Sequence, residues 1–197
     1  MVKPTNRTIF IALGVIFILS SVITSLFLSG LIKSILFRPN GVFLFGSTSL
    51  SYIYIALSQI LLGISFILIG LSFLPKVIRR GSATVLILGA LITAFIGFND
   101  YYYASRDGVY VNKTTDWKGT WIPWSDVEHM DIVYNVKDHS PLPHSIVFHT
   151  KSKRKYDIPM DGYVYNSRKT IRYHVKQAGG TVSDKVIHPT TTNNGKK

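Results

Sequence analysis

The sequence predicts a chain in two parts: three transmembrane helices, then a small all-β barrel or sheet closed by a C-terminal helix. Three observations carry that prediction. All ten acidic residues lie at or after Asp100. Before Asp100, long uncharged apolar stretches are separated by small basic groups. After it, apolar residues alternate over short runs broken by turn residues, and one late run repeats at helical spacing. The 197 residues are 47% hydrophobic and only 16% charged, with a mean hydropathy of +0.24. An average chain is about 25% charged, so this composition excludes both a wholly soluble protein and wholesale disorder. With no cysteine, the chain has no disulfides, thiolate metal sites or Cys nucleophiles.

The formal charge of +12 suggests nucleic acid, but its distribution does not. Before Asp100 there are seven basic residues and no acidic one, a net of +7; from Asp100 onward there are fifteen and ten, a net of +5. Basic groups flanking apolar segments are a membrane topology pattern, not a phosphate groove. No nucleic-acid partner is expected.

The spans follow from the uncharged gaps. There are 25 uncharged residues between Arg7 and Lys33, 37 between Arg38 and Lys76, and 19 between Arg80 and Asp100. A bilayer core needs about 20 apolar residues in a helix, which puts spans at about 9–32, 50–74 and 82–103 within a membrane region 1–100. The first stretch is too long for a signal-peptide core and lacks a small-residue cleavage site, so it reads as a retained helix. The third ends in Asn99-Asp100-Tyr101-Tyr102-Tyr103, whose tyrosines read as an interfacial aromatic belt. No Asp, Glu, Lys, Arg or His falls inside the three uncharged gaps, which argues against an ion-coupled transporter acting alone. Gln59 is the one amide in a span core and is expected to make an interhelical hydrogen bond.

Small residues recur along the spans: Ala56, Gly63 and Gly70 beside Ser58, Ser65 and Ser72; Gly89, Thr93 and Gly97 with Ala90 and Ala94; Ser21, Ser25 and Ser29. Such rows let backbones approach. They are expected to pack the helices within the chain, with a homo-oligomer contact through Ala56, Gly63 and Gly70 as the other use. Basic residues near the span ends tie at five against five: Lys3, Arg7, Lys76, Arg79 and Arg80 against Lys33, Arg38, Arg106, Lys113 and Lys118. The positive-inside rule therefore sets no orientation. Three spans place the two termini on opposite sides.

Residues 101–180 read as the β domain. Strands are expected at Tyr102 to Ser105 and Val109 to Val111 around an Arg106-Asp107-Gly108 turn, at Trp121 to Trp124, and at Asp131 to Lys137. Pro123 implies an edge or a bulge. Ser125 is a candidate cap for one helical turn. Asp138 to His144, with Pro141 and Pro143, reads as a loop. Ser145 to Thr150 and Tyr156 to Pro159 form a hairpin through Lys151-Ser152-Lys153-Arg154-Lys155. A helix from Tyr163 to Ala178 puts Val164, Ser167, Ile171, Val175 and Ala178 on one stripe, with Asn166 or Ser167 as cap and Gly179-Gly180 as stop. Residues 181–197 are polar and are expected to be a disordered tail.

Three pieces of this domain resemble the bacterial pleckstrin-homology-like (PH-like) membrane proteins. They are Arg106-Asp107-Gly108-Val109-Tyr110, then Ile122-Pro123-Trp124-Ser125-Asp126-Val127-Glu128, and finally Ile158-Pro159 ahead of the closing helix. The resemblance spans about Asp100 to Gly180. It implies a PH-like fold on a multi-pass cell-membrane anchor, no enzymatic activity and, in some members, bacteriocin immunity. It also favours a cytoplasmic β domain. Asp107, Gly108, Pro123 and Trp124 form the fold motif. Gly108 is expected to supply a positive φ, Pro123 to spare a donor at a sheet edge, and Trp124 to fill the end of a small barrel.

Other chemistry-bearing patterns are weak. Ser125, Asp126 and His129 hold the residue types of a hydrolase triad, without the geometry or a glycine-rich elbow. His139, His144 and His149 recur every five residues without a supporting carboxylate. Hence no catalytic residue, cofactor or metal is expected. The candidate binding residues are Lys151, Lys153, Arg154 and Lys155 at the hairpin tip, for a lipid surface or a protein partner. The expected partners are the bilayer and an unidentified membrane or cytosolic protein. The expected function is binding, in bacteriocin immunity or envelope stress, with an accessory subunit of a transporter or membrane enzyme as the alternative.

Overall fold

The computed structural model describes residues 6–72, 74–114, 118–137 and 140–187. It divides into a helical unit (Met1–Arg38, Ser47–Tyr101 and Asn112–Trp117) and a β unit (Pro39–Gly46, Tyr102–Val111 and Lys118–Lys197).

In the helical unit, helices run over Asn6–Phe37, Ser49–Gly70 and Lys76–Asn99, each long and apolar enough to cross a membrane. The second packs against both others. Glycine makes the first contact close. A Cβ on Gly14 would lie 2.5 Å from the Gly63 carbonyl oxygen, and one on Gly63 would lie 2.7 Å from that of Gly14. Gly70 meets Ile11 and the Arg7 carbonyl, and Gly97 meets Ile55 and the Ser51 carbonyl. Gly63 and Gly70 are thus covered by the first helix. Midway along, the first helix widens to a π-turn over Thr24–Leu28, where the hydroxyls of Thr24, Ser25 and Ser29 bond back to their own helix. Thr24 also donates to Gln59 Oε1, the interhelical bond expected of that amide.

Two boundaries move, for physical reasons. The first helix does not end at Lys33 but continues to Phe37, and Lys33 is fully buried. Its ammonium donates to Ser47 Oγ at 3.1 Å, to Ser51 Oγ, and to the Asp100 carbonyl at 2.6 Å. Its three donors are thereby matched by three acceptors. A gap count treats every lysine as a span boundary, so it cannot find this one. The third helix stops at Asn99 rather than reaching 103. The Asp100 carboxylate then accepts from Thr48 N at 3.1 Å, Thr48 Oγ1 at 2.8 Å and Thr114 Oγ1. Tyr101 stacks on Phe37 at 5.0 Å. Tyr102 is a buried strand residue and not part of an aromatic belt.

The β unit holds two four-stranded sheets. One runs β1 (Leu44–Gly46), β2 (Tyr101–Ala104), β3 (Gly108–Asn112) and β4 (Thr120–Pro123). The other runs in the order β7 (Lys155–Pro159), β6 (Ser140–Thr150), β5 (Val127–Lys137) and β8 (Thr181–Ile187). The expected barrel is not closed. The boundaries 101–180 are too narrow at both ends. Pro39–Gly46, between the first two helices, supplies β1, which pairs antiparallel with β2. The expected disordered tail instead begins with β8, parallel to β5. Its residues 188–197 lie outside the described residues, as do Asp138 and His139. The expected loop through Pro141 and Pro143 is strand from Ser140. The neighbouring β7 covers only Ser145 to His149, so both prolines sit where β6 is an edge and no ladder donor is needed on that side.

A closing helix spans Gly162–Gln177 and buries Val164, Ile171 and Val175, as its stripe predicts. Its cap is Asp161 rather than Asn166 or Ser167: Asp161 Oδ1 accepts from Val164 N at 2.8 Å, while Oδ2 takes the Tyr102 hydroxyl at 2.7 Å. Gly179 (φ 88°) ends the helix, with Gly180 N returning to the Val175 carbonyl at 2.9 Å. The core joins both sheets and this helix through Leu44, Tyr102, Val109, Ile122, Trp124, Met130, Phe148 and Ile158 among others.

Replacing Lys33 with Met strands buried acceptors at about 1–3 kcal/mol each. K33M should therefore unfold at clearly lower denaturant in mixed micelles, while L36M, at an exposed position of the same helix, should not shift. Gly63→Ala should cost about 1–3 kcal/mol by overpacking. Gly81→Ala, with open space around it, should leave the detergent melting temperature unchanged or raise it slightly.

Candidate functional site

The fold motif acts structurally, with one change of reason. Gly108 has no positive φ. It is glycine because a Cβ would collide with the Ile122 carbonyl and lie 2.9 Å from Pro123 Cα on the paired strand. Pro123 lies on edge strand β4, as expected. Trp124 is buried, stacks on His174 at 5.6 Å and donates from Nε1 to the Ser105 carbonyl at 3.1 Å. The Asp107 side chain is exposed, and its carbonyl accepts from Trp124 N at 3.2 Å.

Lys151, Lys153, Arg154 and Lys155 are exposed on the β6–β7 turn. Buried Thr150 holds that turn. Its backbone N donates to the Arg154 carbonyl at 3.0 Å, its carbonyl accepts from Lys153 N at 2.8 Å, and its hydroxyl lies 2.8 Å from Ser152 Oγ. Lys153 adopts φ 61°, the left-handed bend that closes the turn. Lys151 N reaches back to the Asp126 carbonyl at 2.9 Å. The four basic side chains make no hydrogen bond or ion pair among the described residues.

Beside this turn lies a cluster that sequence spacing did not reveal. His129 and Asp131 alternate on the outer face of β5, opposite core residues Met130 and Ile132. Register sets His149 of β6 and Thr181 of β8 beside His129, and Ser183 beside Asp131. Asp131 Oδ1 takes His129 Nε2 at 2.9 Å and the Ser183 hydroxyl at 2.6 Å, while Oδ2 takes His149 Nε2 at 3.0 Å. His129 Nδ1 lies 2.6 Å from Thr181 Oγ1. The visible signal is the alternation Thr181, Val182, Ser183, in which Val182 packs on the core between two outward hydroxyls. Burial alone would push the Asp131 carboxyl up. Hydrogen bonds from Ser183, His129 and His149, with the charge of His129, outweigh it and hold the group at about 2.

The weak groupings noted in the sequence do not assemble. His129 bonds Asp131 rather than Asp126, so the Ser125–Asp126–His129 set is not a triad. His144 is exposed, while His149 joins His129 instead. The two Nε2 atoms address different oxygens of one carboxylate, and among the described residues no group of three His, Asp or Glu is arranged to hold a metal ion. Compared with family models, curated proteins and solved structures, the chain matches none.

Because the Asp131 carboxyl sits below its usual 3.8, its contribution to stability is complete above that value and is lost as pH falls toward 2. Asp131→Asn should therefore lower the melting temperature of the β unit, followed by tryptophan emission, near neutral pH. The gap to the parent protein should close progressively between about pH 4 and pH 2.

Proposed function

We propose that this is a membrane-anchored binding protein whose β unit, a PH-like domain, engages an anionic membrane surface through the β6–β7 turn. The observation that carries this reading is the exposed set Lys151, Lys153, Arg154 and Lys155, unpaired among the described residues, on a turn fixed by buried Thr150. Near an anionic surface each such charge contributes about 1 kcal/mol. That is weak for a free domain. It suffices for one tied by its own chain to a bilayer, where the local lipid concentration is high. The resemblance to bacterial PH-like membrane proteins supports the same assignment, with the β domain in the cytoplasm of a bacterial cell. In that setting the domain would serve bacteriocin immunity or envelope stress by occupying the lipid surface or a protein bound there. The accessory-subunit alternative depends on free small-residue faces. At Gly63, Gly70 and Gly97 these are engaged within the chain.

The native chain has no cysteine, so Ser152→Cys gives one labelling site on the turn. Its fluorophore should transfer energy to headgroup-labelled lipid more efficiently in phosphatidylglycerol nanodiscs than in pure phosphatidylcholine ones. Replacing Lys151, Lys153, Arg154 and Lys155 with Gln should abolish that difference. Equal transfer in both lipids would overturn the reading.

A further inference from the structure

The outer face of the second sheet carries one row that joins the histidine–aspartate cluster to the basic turn. Register places Thr181, His129, His149 and Lys155 side by side across β8, β5, β6 and β7. The next row is Ser183, Asp131, Val147 and Asp157. His149 is followed directly by Thr150, which holds the turn. Resting on the proposed membrane reading, we infer that His129 and His149 make the β6–β7 face an acid-strengthened docking surface for anionic phospholipid.

The charges around the two rings make the effect large. Those facing them are Asp131 on β5 (the strand of His129), Lys155 and Asp157 on β7, and Lys185 on β8. Glu128, exposed at the β5 bulge, adds a further acidic group, and its carbonyl lies 3.3 Å from Thr181 Oγ1. The closing helix packs on the opposite, apolar face, where its Arg172 pairs with Asp184 at 3.0 Å. With neutral rings, the two lysines and two aspartates of the outer face cancel, and Glu128 offsets one of the three basic groups Lys151, Lys153 and Arg154 of the turn. Protonating both rings adds two charges beside those three.

The network accepts those protons without rearrangement. Each Nε2 already faces an oxygen of Asp131, so it carries the ring hydrogen and the incoming proton goes to Nδ1. For His129 this proton meets Thr181 Oγ1, whose hydroxyl turns to donate to the Glu128 carbonyl. For His149, Nδ1 has no partner among the described residues, and its side chain is 27% exposed. An Nδ1–H there can donate directly to a lipid phosphate. Histidine is in general the side chain whose charge changes between about pH 5 and 8, and that window is the one to test.

The test uses the full chain carrying the Ser152→Cys label in phosphatidylglycerol nanodiscs, whose phosphodiester does not titrate there. Energy transfer to headgroup-labelled lipid should rise by roughly half or more as pH falls from about 7.5 to 5.5. His129→Gln with His149→Gln should lose the rise, read as the ratio to that variant's own transfer at about pH 7.5. A flat profile in the parent protein, an undiminished rise in the double variant, or an equal rise in phosphatidylcholine would each overturn the inference. Absence of preferential transfer at any pH would instead remove the membrane reading on which it rests.

Discussion

One fully buried lysine ties together the ends of all three long helices. Lys33 near the end of the first helix donates to Ser47 ahead of the second, to Ser51 in its first turn, and to the carbonyl of Asp100 just past the third. Ser51 passes a hydrogen bond on to the Gly97 carbonyl at 3.0 Å. Asp100, also buried, binds Thr48 and Thr114. A buried ammonium is tolerated only when its donors are satisfied, and losing one partner costs several kcal/mol. This cluster therefore fixes the register of three segments that lipid-facing apolar surface alone would leave free to slide. At about 1.5 Å per residue, the 32-residue first helix is roughly 48 Å long, against a hydrocarbon core of about 30 Å. Its last turns thus have length to spare for a polar role.

The β unit has a polar anchor of its own. Within that unit the same economy recurs at Asp161, whose two carboxylate oxygens cap the closing helix and bind the hydroxyl of buried Tyr102. Trp124 and Phe43 each stack on His174 at 5.6 Å, so residues from the interhelical segment, the 3-10 turn Trp124–Asp126 and the closing helix meet at one ring.

The proposed site combines two kinds of residue. The basic turn is legible in a single sequence because four charges in five residues between two alternating runs can only be a tip. The cluster beside it is not. His129 falls ahead of the expected strand and Asp131 at its first position, and their partners arrive from β6 and from a segment polar enough to read as tail. What makes β8 a strand is the acceptor and donor set waiting on β5: Ser183 satisfies Asp131, and Thr181 lies against His129. Polar side chains there are matched to polar partners, a relation composition does not contain.

The sequence by itself determined three apolar helices, a Gly/Ser seam between them, an antiparallel hairpin with a cationic tip, and a closing helix with its buried stripe and glycine stop. All of these rest on local periodicity or local charge, which act over one or two turns or strands. Tertiary structure alone decided that Lys33 is interior, that Gly108 answers to space rather than to φ, that residues 44–46 and 181–187 are strands, and that two histidines share one aspartate. Each depends on partners tens of residues away, and the free energy that settles it is the cost of leaving a buried polar group unmatched or two backbones too close.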